Sequence, residues 1–498
     1  MTRDPTSGPD KPPLSEARID PDSFHEMRRA NLARWPTGAD VDLDEAAAYL
    51  KTLPDHKNLA WVTRRAVEEG RCLTQPRGGF ATIAQHKGLL ETLDREGLAD
   101  IVPTTTDSYT RNERFAEAAK GVEESERLGR SMLNGFPVVN AGIATCRELT
   151  AAVNKPIISL TGTSFPRLTG EITYAAGFTG YLGSGVAYTT SYTKETSIAE
   201  GIRNYQYLDR LVALYGEMGV ALHRRQPSFL TGTNIPPCIG IAVAIVDLLL
   251  AAAQGVKQYG LELGQALNLI QDSVAVEVCG ELAQEYLKRK GHEDVFTSVT
   301  MLHWMGAWPT DRAQSFGLMV YGGFAAAVGG AVSITTKSAA EAMGIPTPEE
   351  NAEGLRAARM GIYLARNVNL RELPEYQAEK EVLETEVRSL VDKVLEMGEG
   401  DVAVGVVRAL EAGVLDVPWS PNRECRSAVM PARDADGYLR IVDFGALAIP
   451  ERIRAYHRER LKKAARLSGT AFGPDQAIDS VYELSEDIGK LLPFPWNS

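Results

Sequence analysis

One pattern recurs through the middle of this 498-residue chain: a short apolar run, an abrupt polar or glycine-rich end, then a helical period. Ile101–Arg111 reads IVPTTTDSYTR and Leu73–Gly79 reads LTQPRGG. Phe136–Gly142 reads FPVVNAG, Ile157–Thr163 IISLTGT, Val186–Tyr192 VAYTTSY and Phe229–Thr233 FLTGT. Such runs read as parallel strands buried on both faces, with polar residues at their carboxyl ends. Helices are expected between them, at Ala81–Arg95, Asn112–Met132, Ile143–Val153, Thr193–Gly219, Ile239–Gly255, Leu263–Arg289 and Ala313–Val328. The alternation predicts an α/β fold, a (β/α)8 TIM barrel with its site at one mouth. With Lys257–Gly264, Val295–Met301 and Ala331–Thr336 the strand candidates number nine, one more than a closed eightfold barrel takes.

The expected organisation is a disordered N-terminus over 1–20, a helical collar over 21–70, the barrel over 71–400 and an α+β extension over 401–498. Collar helices are expected near Phe24–Trp35 and at Leu43–Leu53, the latter capped by Asp42 or Asp44. Outside the barrel, helices are expected at Glu349–Arg366, Tyr376–Met397 and Asp401–Gly413, then a hairpin within Pro418–Pro450 and a basic, solvated or docking helix at Glu451–Leu467. The LTGT fragment at Leu160–Thr163 returns at Leu230–Thr233 and reads as two strand ends turning on Gly162 and Gly232.

A net charge of −12 argues against a nucleic-acid partner. The five dispersed cysteines suit reduced thiols in a cytoplasmic protein better than a zinc site or disulfide framework. No membrane association is expected. Ile239–Ala253 is interrupted by Asp247 and too short to span, and Phe316–Thr336 is divided by Gly322–Gly323 and Gly329–Gly330 into a buried helix and a strand.

No GxSxG, Walker or HExxH motif occurs, and no histidine cluster has metal-ligand spacing. The arginines say more. Arg77 and Arg111 each follow a predicted strand, where guanidinium groups can clamp a carboxylate or phosphate. Either alone is equally a surface or capping arginine; two at one rim point to an anionic ligand. Lys337 and Glu341, four apart, are either a surface salt bridge or a pair holding a polar ligand at the mouth. Tyr188 and Tyr192 are expected on one face of a strand, as a pocket wall or as core.

These residues lie within a longer set: Arg34–Gly38 (RWPTG), Gln75–Gly79 (QPRGG), Pro103–Arg111 (PTTTDSYTR), Leu133–Pro137 (LNGFP), Trp304–Gly306, Gly344–Thr347, Met397–Asp401 and Tyr456–Arg460. Through them the chain resembles the large catalytic (epsilon) subunit of adenosylcobalamin-dependent glutamate mutase, or methylaspartate mutase. The resemblance implies an isomerase whose barrel mouth stacks on cobalamin held by a separate small cobalamin-binding subunit, in a hetero-oligomer with or without a homodimer of this chain. In that family the small subunit supplies the cobalt ligand from an Asp-x-His-x-x-Gly motif, which is missing here. The resemblance assigns Asn134, Lys337 and Glu341, with Gly79 and Thr105, to the cofactor. It assigns Arg77, Arg111, Tyr188 and Tyr192 to a small carboxylate substrate.

Two positions depart from the family. A third substrate arginine, in Arg-His-Gly-Thr, falls on Leu160, and a glutamate that receives the substrate ammonium, in Glu-Gly-Gly-Gly, falls on Leu182. A substrate charge buried without its partner costs on the order of several kcal/mol. The expectation is a retained radical isomerase with a changed, more apolar substrate. The alternatives are a non-catalytic barrel that docks a cobalamin subunit, and a cobalamin-independent barrel enzyme acting on an anionic metabolite.

Overall fold

The computed structural model describes residues 13–228, 234–342 and 344–489. Eight parallel strands form one sheet: β1 (Leu73–Gln75), β2 (Val102–Thr105), β3 (Ile157–Leu160), β4 (Gly180–Leu182), β5 (His223–Gln226), β6 (Gln258–Gly264), β7 (Phe296–Leu302) and β8 (Ser333–Thr335). From β2 to β8 each strand pairs with its neighbour in chain order, and β8 pairs with β1. The β1–β2 seam is closed by Ile101 N donating to Thr74 O at 3.2 Å and Thr105 N to Gly78 O at 2.9 Å. This is the expected (β/α)8 barrel.

The strand assignments need correction. Phe136–Gly142 is not a strand: Phe136 makes a single bridge with Thr106, and a helix, Val138–Ala152, begins two residues later. Val186–Tyr192 belongs to a helix, Gly185–Tyr192. Its first amides are captured from afar: the Asp247 carboxylate accepts from Val186 N at 3.0 Å, Ala187 N at 3.2 Å and Ser184 Oγ at 2.7 Å. The β-branched composition predicted a strand, and a tertiary cap overrides it. The barrel takes Gly180–Leu182 and His223–Gln226 instead. Phe229–Thr233, with the second LTGT, lies outside the described residues.

The helix predictions hold with shifted ends: Asn112–Met132 is helical over Phe115–Leu128, and a one-turn helix that was not predicted, Ser108–Arg111, forms in the loop before it. Asp42 is the cap of Leu43–Thr52, its Oδ1 accepting from Glu45 N at 2.9 Å. A helix that was not predicted, Leu59–Glu68, plugs the amino-terminal end of the barrel. Its Leu59 and Ala66 join Leu73, Ile101, Ile158 and Val332 in one apolar cluster. Gly180 makes room for this plug, since a β-carbon there would lie 2.3 Å from Leu59 Cδ2. Phe316–Thr336 divides as expected into the helix Arg312–Gly329 and β8. Among the described residues one helix, Pro237–Gln254, is long and apolar enough to cross a membrane; 83% of it is buried in the protein.

Of the segment expected to be disordered, residues 1–12 lie outside the described residues. Leu14 is buried, and Ser15 Oγ donates to Asp401 Oδ2 at 2.8 Å. The collar is tied to the barrel by Arg28, whose Nε and Nη2 each bond the Glu171 carboxylate at 2.8 Å. The hairpin Met430–Arg433/Leu439–Asp443 forms within the predicted region. The basic helix, Glu451–Ser468, docks through Ile453, His457, Leu461 and Ala465.

Candidate active site at the barrel mouth

The loops leaving β1 and β2 are packed backbone against backbone. A β-carbon at Gly79 would lie 2.4 Å from Thr105 O, and one at Gly135 2.6 Å from Asp107 N. Thr105 Oγ1 accepts from Gly78 N at 3.1 Å, and Thr105 O from Phe136 N at 2.8 Å. These contacts present Asn134 on the rim, exposed, with Oδ1 accepting from Ser108 N at 2.9 Å. Arg77, half-buried on the β1 loop, points Nη1 to Met305 Sδ at 3.6 Å.

Arg111 ends the one-turn helix Ser108–Arg111, which Asp107 caps through bonds from Tyr109 N (2.8 Å) and Thr110 N (3.1 Å). Its guanidinium crosses to the turn after β3, where a β-carbon on Gly162 would lie 3.1 Å from Nη1. Burial lowers the Arg111 pKa; Tyr188, Tyr192 and Asp107 draw it up, and the Arg77 charge lowers it further. Arg111 Nε is buried with no acceptor among the described residues. Tyr188 and Tyr192 do share a face, as expected, but one helical turn apart: their rings meet edge to face at 5.4 Å. Tyr188 is buried, which pushes its phenol well above the usual value, and Tyr192 is 45% exposed. The two arginines and two tyrosines thus converge on one space above the barrel.

Lys337 follows β8 and is buried, with Nζ donating to Glu341 Oε2 at 2.7 Å. Glu341 sits in a turn, not a helix. Lys337 N donates to His303 Nδ1 at 3.0 Å, which fixes the backbone of the loop. Burial depresses the lysine pKa, opposed by Glu341 and reinforced by Arg77, so this pair faces the same mouth.

Leu160 and Leu182 end adjacent strands. They are direct register partners, 6% and 8% exposed, in the cluster that fills the barrel. The register continues inward-facing from Thr105 through Leu160 and Leu182 to Arg225. Arg225 was missed by sequence reasoning, as were Gln75 and Glu262. Its strand, HRRQ, has no apolar run, so neither periodicity nor composition marks it. The only signal was two adjacent arginines before Gln226-Pro227.

The chain matches the model of the methylaspartate mutase E chain family over residues 53–492. It is a member of that family. Curated relatives in the family align over nearly the whole chain. The glutamate mutase epsilon subunit of Desulfitobacterium hafniense is 42% identical over 95% of this chain and 98% of its own. That of Treponema denticola is 39% identical over 95% and 97%. The protein of the same name from Haloarcula marismortui is 39% identical over 97% of each chain. In this member the mouth carries Arg77, Arg111, Asn134 and Lys337, and two leucines, Leu160 and Leu182, end adjacent strands beneath it.

Proposed function

We infer that this methylaspartate mutase E-chain family member is the catalytic subunit of an adenosylcobalamin-dependent carbon-skeleton isomerase, working with a small cobalamin-binding subunit on a carboxylate other than L-glutamate. The observation that carries the substrate reading is the pairing of Leu160 with Leu182. Two adjacent inward positions, where the resemblance expects one cation and one anion, are both apolar and buried.

The rim fits an adenosyl group. Asn134 is exposed with its amide oxygen engaged, and Lys337 has donors beyond the one given to Glu341. Asn134, Lys337 and Glu341, with Gly79 and Thr105, would hold it. When bound, that cofactor supplies a carbon-centred radical by homolysis of its cobalt–carbon bond. The chain's own residues bind, orient and seal. Arg77 and Arg111 converge on a carboxylate, with Arg111 Nε still unspent. Tyr188 walls the space, and the Leu59–Glu68 plug closes the far end against solvent.

Reconstitution with a cobalamin-binding subunit and assay on L-glutamate tests this. The loss of two charged contacts predicts kcat/KM lowered by about a hundredfold or more relative to the curated relatives. Turnover at the relatives' rate would refute the reading. Leu160→Arg with Leu182→Glu should raise glutamate turnover; a double variant that folds and gains nothing would show that the pocket is assigned wrongly.

A further inference from the structure

Lys337 and Glu341 are carried by the stretch after β8, which forms only turns before the helix Pro348–Ala365. Its placement comes from the loop after β7. His303, the first residue past β7, is buried. Its backbone N donates to Thr335 O at 3.0 Å, and its Nδ1 accepts from Lys337 N at 3.0 Å. One histidine thus bonds the chain of β8 on both sides of the turn out of the barrel. A ring nitrogen that accepts carries no proton, so the imidazole proton sits on Nε2. Burial and the Lys337 charge hold the ring down to about 3, so this neutral form persists at any pH near 7.

The ring is itself held in place. A β-carbon on Gly322, in the helix Arg312–Gly329, would lie 2.0 Å from His303 Nε2, so the helix backbone closes directly on the imidazole. Gln265, fully buried after β6, ties the same two parts together. Its Nε2 donates to Gly322 O at 3.1 Å and its Oε1 accepts from Trp304 N at 3.2 Å. A second helix, Pro348–Ala365, closes on the other end of the Lys337 residue: a β-carbon on Gly354 would lie 2.3 Å from Lys337 O. The lysine backbone is therefore gripped at its N–H and at its carbonyl. Its side chain is long and flexible, so the direction of the ammonium depends on that backbone and on the bond from Nζ to Glu341 Oε2.

We propose that His303 is a positioning residue for the cofactor: by accepting from Lys337 N it sets where the Lys337–Glu341 pair meets the adenosyl group. The proposal rests on the reading of Lys337 as an adenosyl contact given above. Histidine suits the task because Nδ1 offers an acceptor and no donor. A phenyl ring of similar shape would leave the Lys337 N–H without its acceptor, and the loop would shift to find another.

Equilibrium binding to the full-length chain with a cobalamin-binding subunit tests it, comparing adenosylcobalamin with methylcobalamin. The two share the corrin ring and differ in the upper ligand, so the ratio of their Kd values isolates contacts to the adenosyl group. The wild type should prefer adenosylcobalamin about tenfold or more, and Lys337→Met should remove most of that preference. His303→Phe should lower the ratio about fivefold, while His303→Asn, whose Oδ1 restores an acceptor, should stay within about twofold of the wild type. Melting temperatures of the variants separate positioning from folding. A purely structural role weakens both cobalamins together and leaves the ratio in place, and that result overturns the proposal. So does an Asn variant that loses as much as the Phe variant. If His303→Phe fails to fold, Gln265→Met, which frees Trp304 N, replaces it with an expected loss of about threefold, and an unchanged ratio there overturns the proposal. No preference in the wild type, or an undiminished one in Lys337→Met, sinks the adenosyl reading and the proposal with it. A fall in Lys337→Met without one in His303→Phe sinks the proposal alone.

Discussion

The guanidinium of Arg111 rests on Gly162, a residue with φ of +56° whose missing β-carbon would sit 3.1 Å from Nη1. The turn after β3 and the loop after β2 are fitted to each other at this point, and Thr163 Oγ1 donates to Arg111 O as well. Gly162→Ala imposes a left-handed conformation on an L-residue and presses on the arginine. We expect a stability loss of about 1–2 kcal/mol by urea unfolding. Carboxylate binding should weaken with it. Unchanged values for both would mean that the contact does not position Arg111.

Lys337 and Glu341 separate charge from hydrogen bonding at the mouth. The side chains are 7% and 23% exposed. Glu341→Gln leaves a buried ammonium without its counter-charge and should cost about 1–3 kcal/mol of stability. Lys337→Met removes the group that burial penalises and should cost less. Denaturant curves for the two variants decide; the reverse order would mean that the lysine is stabilised by something other than Glu341.

Asp247 gives a pH-dependent test of the cap that shapes the tyrosine helix. Burial pushes its carboxyl up to about 6, against the downward pull of the Ser184, Val186 and Ala187 donors. Its folded pKa thus lies above the unfolded value, so its titration removes stability as pH rises between the two and adds nothing further above the upper one. Asp247→Asn lacks this term and also turns an amide donor toward donors. The variant should be less stable throughout, with a deficit largest near about pH 4.5 and smaller near about pH 7, by on the order of 2–3 kcal/mol. A deficit that grows with pH would show the carboxylate to be ionised at low pH.

Arg28 and Glu171 fasten the N-terminal helices to the barrel's outer layer, at 9% and 0% side-chain exposure. Arg28→Met strands a fully buried carboxylate that also accepts from Tyr207 Oη. The expected cost is about 3–5 kcal/mol, part of it recovered by adding Glu171→Gln. A thermal or urea melt of the single and double variants measures both; no recovery in the double variant would mean that lost packing, not charge, is responsible.

The barrel was legible because strands buried on both faces must be apolar and must end where the chain meets solvent, so Ile157–Leu160 or Val299–Leu302 announce themselves. Rim residues were legible for the same reason: Arg77, Arg111 and Lys337 follow directly from strands whose ends could be read. Two strands were not. Gly180–Leu182 is too short for a period to register. His223–Gln226 is polar throughout because its arginines reach other parts of the chain: Arg224 meets Asp209 at 2.7 Å on the helical side, and Arg225 crosses to Gln75.

What the sequence alone determined is the alternating architecture and the arginines and lysine that follow its strands, Arg77, Arg111 and Lys337, which are local facts of order and composition. The reading of Leu160 and Leu182 as departures came from the family resemblance. Only the tertiary structure decided that Val186–Tyr192 is a helix, because the groups that satisfy its first amides sit on Asp247, far along the chain. Only it decided that Leu182 stands beside a buried arginine. Register across a closed barrel is fixed by hydrogen bonds between distant segments, and no window of sequence contains both partners.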